Sequence, residues 1–285
     1  MAKLTDMTTG SISKHLLAFA APLLLGNIVQ QFYNMVDSII VGNYVGQNAL
    51  AAVGTCGSMG FLFFSLSSGL AIGIGIIVSQ YFGAKDYQNV RTTIGSSLYV
   101  LSISAFIVTL IGVFLSPALL KLLQCPNTIF KDAVTYMRVT SLGIVFIALY
   151  NGVAAILRAL GDSKSPLYFL IISSIVNIAL DLLFVLVLNW EVFGVAFATV
   201  ISQAISAIAS FMYAYKKVDF FRLTPQELKP KKKIIANSFK LGVPLALQNS
   251  LIAVSCMVLQ GVVNTFGESV IAAYTICMKV EQLVQ

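Results

Sequence analysis

The chain contains 285 residues, of which 58% are hydrophobic and only 10% are charged. Soluble domains carry roughly 25% charged residues, because charge keeps their surfaces in water. The composition therefore excludes a soluble globular protein and predicts an integral membrane protein. The net charge of +7 does not indicate a nucleic-acid partner, since no basic face with interleaved aromatic side chains accompanies it.

Long apolar runs recur along the whole chain. A membrane-spanning helix needs about 20 mainly apolar residues, whereas a transmembrane strand needs about 10 in strict alternation. The runs here are longer and apolar all round, so we expect an all-α integral membrane protein. They predict seven spans and the start of an eighth, at 16–41, 57–82, 94–116, 134–157, 167–188, 193–215, 239–266 and from 269 onward.

No residue pattern indicates an enzyme. The sequence has no HExxH, no P-loop and no Ser-His-Asp set, and it contains a single histidine. Its four cysteines form no CxxC pair, which gives neither a disulfide framework nor a metal site. We therefore expect no cofactor, and an energy source that is an ion gradient or a separate subunit.

The basic residues predict the orientation in the membrane, because cytoplasmic loops carry an excess of Lys and Arg. With the N-terminus inside, fourteen basic residues from Lys3 onward fall in cytoplasmic segments. Only Lys121, Lys131 and Arg138 then fall outside. The largest basic group follows the sixth span and ends in the run KPKKK. We expect a multi-pass protein of the cytoplasmic membrane with a cytoplasmic N-terminus.

An internal repeat relates the first and seventh spans. Pro22 in AAPLLLGN matches Pro244 in GVPLALQN, and Asn27 then matches Asn249. Further along, the segment GQNALAAVGTC matches GESVIAAYTIC in the later copy. An offset of six spans returns the chain to the same side of the membrane. The copies are therefore parallel repeats, related by an axis along the membrane normal.

The repeat also predicts the domain organisation. We expect an N-terminal lobe of six helices at 1–215, a basic cytoplasmic linker at 216–238 and the start of a C-terminal lobe at 239–285. Since the second copy extends over only two spans, we expect the chain to lack the remainder of a C-terminal half.

Two carboxylates lie inside predicted spans. A charge at the bilayer centre costs at least about 2.5–3.5 kcal/mol, so such residues are functional candidates by default. Asp37 lies four residues, or about 6 Å, before the outer end of the first span. Asp181 lies seven residues, or about 10 Å, before the outer end of the fifth. The similar depth predicts a shared site.

Amide side chains accompany both carboxylates. Asn177 precedes Asp181 by four residues, and Gln30 and Asn34 share a helical face with Asp37. Such amides also join helices through hydrogen bonds without further function. The combination suits a proton relay or a Na⁺ site at Asp37, Asn177 and Asp181, and we expect no other metal.

Proline and glycine residues indicate how the helices bend and pack. Pro22 either acts as a hinge that reshapes the first helix or forms a static kink. Gly69, Gly73 and Gly75 lie in one span, where small residues at helical spacing predict close contact between helices.

Several segments together resemble the multidrug and toxic compound extrusion (MATE) transporters, most closely the bacterial drug-efflux branches. They are AAPLLLGNIVQQFYNMVDSIIVGNYVGQNALAAVG (20–54), ILRALGDSKSP (156–166), SIVNIALDLLF (174–184), GVAFATVISQ (194–203) and LGVPLALQN (241–249). The resemblance implies a V-shaped bundle of two six-helix lobes. It also implies exchange of H⁺ or Na⁺ for bulky, often cationic, aromatic compounds, with membrane lipid around the bundle.

The resemblance also implies roles for particular residues. The family's cation-coupling cluster corresponds to Asp37, Asn177 and Asp181, and its supporting polar residues to Gln30, Tyr136 and Thr199. A cation-coupled multidrug efflux antiporter is therefore the leading hypothesis. Two alternatives stay open: a lipid-linked oligosaccharide flippase-like transporter, which would need a wide cationic cavity, and a non-transporting membrane fragment of a split or truncated transporter.

Overall fold

The computed structural model describes residues 12–284, so Lys3, which supports the predicted orientation, lies outside the described part. Helices account for nearly all of the described residues, and no strand occurs among them. The helices are α1 (Ile12–Ile40), α2 (Gln47–Gly83), α3 (Tyr87–Leu122), α4 (Asn127–Leu142), α5 (Ile144–Ala159), α6 (Lys164–Leu182), α7 (Glu191–Lys217), α8 (Lys232–Asn264) and α9 (Glu268–Val284). The predicted all-α class is confirmed.

Six helices within the described residues are long and apolar enough to cross a membrane. A seventh crossing arises if α4 and α5, which are bent by 43° at Gly143, form one broken span. The sequence predicted a single span here, at 134–157. The bend occurs because the amide of Gly143 donates to the carbonyl of Thr140 (2.9 Å), which closes a tight turn between the two helices. The multi-span architecture is otherwise as predicted.

Helix α2 begins at Gln47, ten residues before the span predicted from hydropathy. The additional turns are rich in alanine, a strong helix former. Ala49, Ala51 and Ala52 are buried there, within a hydrophobic core that also contains Met59 and Ile129. A second core surrounds Ile74, Ile94 and Leu157 near the other end of the same helices. Thus α2 forms the central helix of the bundle.

The internal repeat is visible in the backbone. Pro22 lies inside α1, and its counterpart Pro244 lies inside α8. Gly46 (φ +120°) and its counterpart Gly267 (φ +88°) both adopt positive φ immediately before the next helix. That conformation favours glycine, so the same junction is built twice. In addition, the repeat matches α1 with α8 and α2 with α9. The contact between α2 and α8 and the contact between α1 and α9 are therefore equivalent under a two-fold axis, and both occur.

Helices α2 and α8 pack with their backbones in close contact. A Cβ atom added at Gly69 would lie 2.5 Å from the backbone of Ala246, and one at Gly73 would lie 2.7 Å from the backbone of Gly242. Only residues with small side chains permit this approach. Gly75 lies against Ala155 of α5. The predicted glycine packing is confirmed, and it joins the two segments that the sequence assigns to different lobes.

The basic segment between α7 and α8 is docked on the start of α3. Arg91 donates to the carbonyl oxygens of Arg222 (2.9 Å) and Asp219 (3.0 Å), and its guanidinium lies 3.6 Å from the carboxylate of Glu227. Hydrogen bonds from Thr224, together with Arg91, hold the pKa of Glu227 below its ordinary value. The predicted linker is therefore an ordered loop, and α8 already begins at Lys232.

Candidate functional site

Asp37 of α1 and Asp181 of α6 lie next to each other. Their side chains are within hydrogen-bonding reach. Only 9% of Asp37 and 0% of Asp181 is exposed, so the two carboxyl groups share an environment with little solvent. Neither oxygen of Asp181 accepts a hydrogen bond from an amide, hydroxyl or basic group among the described residues. The structure thus brings together the two carboxylates that the sequence singled out.

Both helices widen within four residues after the carboxylate. The α-helical part of α1 ends at Ile40 and continues as a π-helical segment, Val41–Val45; α6 continues likewise as Leu183–Val187. Asp37 therefore lies eight residues before the end of its helical segment, and Asp181 six. The two depths are closer than the hydropathy spans indicated. Wide turns of this kind often occur at functional sites, since they reorient the preceding side chains.

Asn177 completes the buried part of the site from α6. Its side chain is 1% exposed, and neither its nitrogen nor its oxygen has a hydrogen-bond partner among the described residues. A buried amide without partners loses its hydration and gains nothing in return. Its amide oxygen and the oxygens of Asp181 are therefore buried and available as ligands for a cation. Oxygen ligands of this kind are the ones that a small hard cation prefers.

Two tyrosines and a threonine surround the carboxylates. Tyr136 of α4 lies close enough to interact electrostatically with both Asp37 and Asp181. Tyr33 of α1 does the same and is within hydrogen-bonding reach of Thr199 of α7. The site therefore draws on α1, α4, α6 and α7. Tyr136 and Thr199 were expected from the family resemblance alone, and Tyr33 was not among the predicted site residues. The spacing of four residues between Tyr33 and Asp37 is the signal that could have found it.

The remaining predicted residues lie elsewhere along α1. Gln30 and Pro22 line a cavity of about 290 Å³ between α1, α2, α5, α6 and α8, nearer the start of α1. Asn34 lies between that cavity and Asp37, and its carbonyl accepts a hydrogen bond from Ser38 (2.9 Å). Helix α1 continues unbroken through Pro22. The structure thus separates the predicted polar stripe into an acidic part and a cavity part.

The arrangement defines a class of protein. A helical bundle with six or seven apolar crossings encloses a carboxylate pair, an unpartnered amide and two tyrosines, which are carried by α1, α4 and α6. Charged groups at membrane depth are typical of ion and substrate pathways in transport proteins. The geometry is of the kind found in membrane transport proteins. No group of three or more His, Cys, Asp or Glu side chains suited to a metal occurs within residues 12–284.

Comparison with known proteins agrees with this class. The sequence profile of the MatE family matches residues 22–183. A probable multidrug resistance protein of Bacillus subtilis, YpnP, is 31% identical over 284 residues, covering 99% of this chain and 63% of the relative. A second, YoeA, is 30% identical and covers 96% and 61%. The chain belongs to the MATE family, and it spans about 60% of the length of these relatives.

Solved MATE structures share the fold. An inward-facing multidrug resistance MATE family transporter of the MOP superfamily superposes with a TM-score of 0.80 at 26% identity, covering 86% of this chain and 56% of the other. A MATE in the straight conformation gives 0.82 at 25% identity, covering 98% and 63%. The chain therefore has the multi-pass membrane fold of this family.

Proposed function

We propose that this chain is part or all of a cation-coupled multidrug efflux antiporter of the cytoplasmic membrane, with H⁺ or Na⁺ as the coupling ion. The observation that carries the proposal is the contact between Asp37 and Asp181 in a buried polar site. Two adjacent carboxylates repel each other strongly where the dielectric constant is low, and a cation between them removes that repulsion. Cation binding and release are therefore the chemistry that the site suits best.

The surrounding residues support a coupling role. Asn177 would supply an amide oxygen to Na⁺, whereas Tyr33 and Tyr136 would stabilise a proton on the carboxylate pair through hydrogen bonds. Because Asp37 and Asp181 belong to different helices, occupancy by a cation changes the force between α1 and α6. In the proposed cycle, the bound cation favours one packing of α1 against α6, and its release favours the other. Drug affinity follows that change, which makes exchange obligatory.

The substrates that we propose are bulky, often cationic, aromatic compounds. A cationic drug and the coupling cation would then compete for the same negative site, so that binding of one releases the other. The related proteins from Bacillus subtilis carry multidrug resistance names, which supports small organic substrates for this chain.

The test is transport by the purified chain in liposomes with an imposed pH or Na⁺ gradient, using ethidium as a cationic aromatic probe. We expect gradient-driven uptake by the wild type and a fall to background in Asp37→Asn, because the amide carries no charge. The control is Ser38→Ala, since the hydroxyl of this neighbouring buried residue donates to a carbonyl of its own helix. That variant should keep most of the activity.

Circular dichroism and gel filtration check that Asp37→Asn stays folded. Unchanged transport in this variant would contradict the assignment of the site. Absence of gradient-driven transport by the wild type would contradict the proposal for the chain as it stands. Whether a pH gradient or a Na⁺ gradient drives the uptake identifies the coupling ion.

A further inference from the structure

The cavity near the start of α1 has a chemical character different from that of the carboxylate site. It measures about 290 Å³ and is lined from α1, α2, α5, α6 and α8. Gln30, the lining residue of α1 nearest to Asp37 in sequence, precedes it by seven residues, or about two helical turns, and neither Asp37 nor Asp181 lines the cavity. Its polar lining includes the amides of Asn27, Gln30, Asn151 and Asn249 and the guanidinium of Arg158.

Among the described residues that line this cavity, none is acidic. Arg158 forms no ion pair and no side-chain hydrogen bond with any residue in the 12–284 range, although it is partly buried. A guanidinium removed from bulk water needs an acceptor, because its desolvation is otherwise uncompensated. Arg158 is therefore a positive charge that faces a polar space without a protein anion to balance it.

The nearest acidic residue in sequence is already engaged. Asp162 follows Arg158 by four residues, a spacing that suggests a helical ion pair. Its carboxylate instead accepts hydrogen bonds from the amides of Lys164 (3.2 Å) and Ser165 (3.0 Å) and from the Ser165 hydroxyl (2.6 Å). Asp162 thus caps the start of α6, where negative charge is favourable.

Arg158 is not required to cap its own helix either. The last carbonyl groups of α5 have backbone partners: the amide of Leu160 donates to Ile156 (3.0 Å), that of Asp162 to Leu157 (2.9 Å) and that of Gly161 to Arg158 (3.0 Å). Gly161 adopts a positive φ of 89°, as expected for a helix C-terminus closed in this way. The guanidinium therefore remains available to a ligand.

A second donor lies on the same face of α5. Asn151 precedes Arg158 by seven residues, or two helical turns, and also lines the cavity. Its side-chain nitrogen is buried and has no acceptor among the described residues. Tyr150, which precedes Asn151 and also lines the cavity, already donates its hydroxyl to the carbonyl of Pro166 (2.9 Å). Two unused donors, one of them charged, thus point to a ligand rich in acceptor oxygens.

We propose that this cavity binds an oxyanion, a phosphate group carried either by a lipid headgroup or by a soluble molecule. The guanidinium of Arg158 holds two of its oxygens, and Asn151 donates to a third or to a neighbouring polar group. Guanidinium groups pair with phosphate through two parallel hydrogen bonds, which matches the need of Arg158. The volume of about 290 Å³ lies at the lower end of the range of about 300–1,000 Å³ that small-molecule pockets occupy, so the cavity has room for a phosphate ester.

The repeat gives the cavity a symmetric wall. Asn27 on α1 and its repeat counterpart Asn249 on α8 both line it, so each copy of the repeat contributes a neutral amide to the wall. These amides accept as well as donate hydrogen bonds. They can therefore solvate the polar remainder of a phosphate ester, such as a glycerol or ethanolamine group, without adding charge.

The experiment is isothermal titration calorimetry on the purified, delipidated chain in neutral detergent. Inorganic phosphate and dihexanoyl phosphatidylglycerol are the two probes, and the matching diacylglycerol is the phosphate-free control. We expect at least one phosphate probe to bind the wild type, and Arg158→Gln to weaken that binding by at least about ten-fold, since a charge-assisted bidentate contact is lost. Arg138→Gln, at an exposed arginine on α4, is the matched control and should change nothing.

The source of the phosphate follows from the comparison of probes. Similar affinity for both indicates a soluble oxyanion, whereas binding of the lipid alone indicates a headgroup. Asn151→Asp is a second variant that preserves shape and adds a negative charge beside the site, and we expect it to weaken binding at least as much. It serves in place of Arg158→Gln should that protein fail to fold, as judged by gel filtration.

Three results would overturn the proposal. The first is that neither phosphate probe binds the wild type. The second is that Arg158→Gln and Asn151→Asp bind phosphate with the affinity of the wild type. The third is that Arg138→Gln weakens binding as much as Arg158→Gln does. The outcome is independent of the coupling proposal, because Asp37→Asn leaves this cavity intact and should bind phosphate normally. Failure of one proposal can therefore be distinguished from failure of the other.

Discussion

Individual residues carry the electrostatics of this protein, and their partners decide what each charge does. Asp37 and Asp181 face each other, so two charged carboxylates here repel one another. Asp162 is engaged by the start of α6, and Arg158 is consequently left to the cavity. Glu227 is engaged by Thr224 and Arg91. Four carboxylates in one chain therefore have three different kinds of surroundings, which residue type alone does not reveal.

The docked loop gives a pH-dependent prediction at this scale. Since the pKa of Glu227 is lowered, its charge stabilises the docked loop above the ordinary glutamate pKa. That stabilisation is lost as the pH falls through the lowered pKa. Fluorescence anisotropy of a probe on Pro225→Cys should therefore drop, as the loop becomes mobile, only under acidic conditions.

Glu227→Gln should show the mobile loop already at pH 7, with little further change on acidification. The matched control is Asp219→Asn, because the Asp219–Arg222 ion pair (3.3 Å) has both side chains more than half exposed. Exposed pairs of this kind contribute little. Equal anisotropy for wild type and Glu227→Gln across the whole pH range would show that this carboxylate does not hold the loop.

At the scale of helices, backbone proximity determines which elements move together. Helices α2 and α8 approach so closely that Gly69 and Gly73 have no space for a side chain. By contrast, α1 packs mainly on α6 and α9, and the cavity lies between it and α8. Helix α1, which carries Asp37, is thus held less tightly by the second segment than α2 is. A change in the charge of its carboxylate would accordingly act on a helix that the second segment restrains less than it restrains α2.

Alanine substitutions within α2 test this packing. Gly69→Ala forces a Cβ atom to within 2.5 Å of the Ala246 backbone, so we expect the free energy of unfolding to fall by about 1–3 kcal/mol. Gly60→Ala in the same helix meets no atom within 4 Å. Its helix propensity should raise stability by about 0.5–1 kcal/mol. Unfolding in SDS, followed by circular dichroism, measures both; changes of the same sign would contradict the packing argument.

At the scale of the whole molecule, the repeat and the charge distribution describe how the protein sits in its membrane. The junctions at Gly46 and Gly267 adopt corresponding conformations, and the pairs α2–α8 and α1–α9 are related as a two-fold axis requires. The start of a second copy of the α1–α2 unit therefore packs on the first. The basic loop before α8 lies on the same side as the start of α1, since an even number of spans separates them.

Cysteine labelling tests the predicted orientation. In a variant without the four native cysteines, Lys131→Cys and Lys229→Cys place one exposed thiol on each side of the bundle. A membrane-impermeant maleimide should label position 131 in intact cells and position 229 only in inverted vesicles. The opposite pattern would show that the basic loop faces outward and that the excess of Lys and Arg does not predict the orientation here.

The sequence by itself determined the helical membrane class, the repeat and the two carboxylates, because these depend on local properties. Composition selects lipid as the solvent, a long apolar run forms a helix in lipid whatever its neighbours, and a charge within such a run is conspicuous. Even Gly69 and Gly73 could be predicted as contact residues, since small side chains at helical spacing leave few alternatives.

Only the tertiary structure decided which residues meet. Contact between Asp37 and Asp181, and the approach of Tyr33 to Thr199, depend on how α1, α6 and α7 pack, which no single helix encodes. The break at Gly143 depends on a local turn that hydropathy does not detect. The guanidinium of Arg158 stays available because Asp162 accepts hydrogen bonds from backbone amides at the start of α6 and forms no ion pair with Arg158. In each case the deciding energy comes from partners that are distant in sequence or from competition between two local contacts.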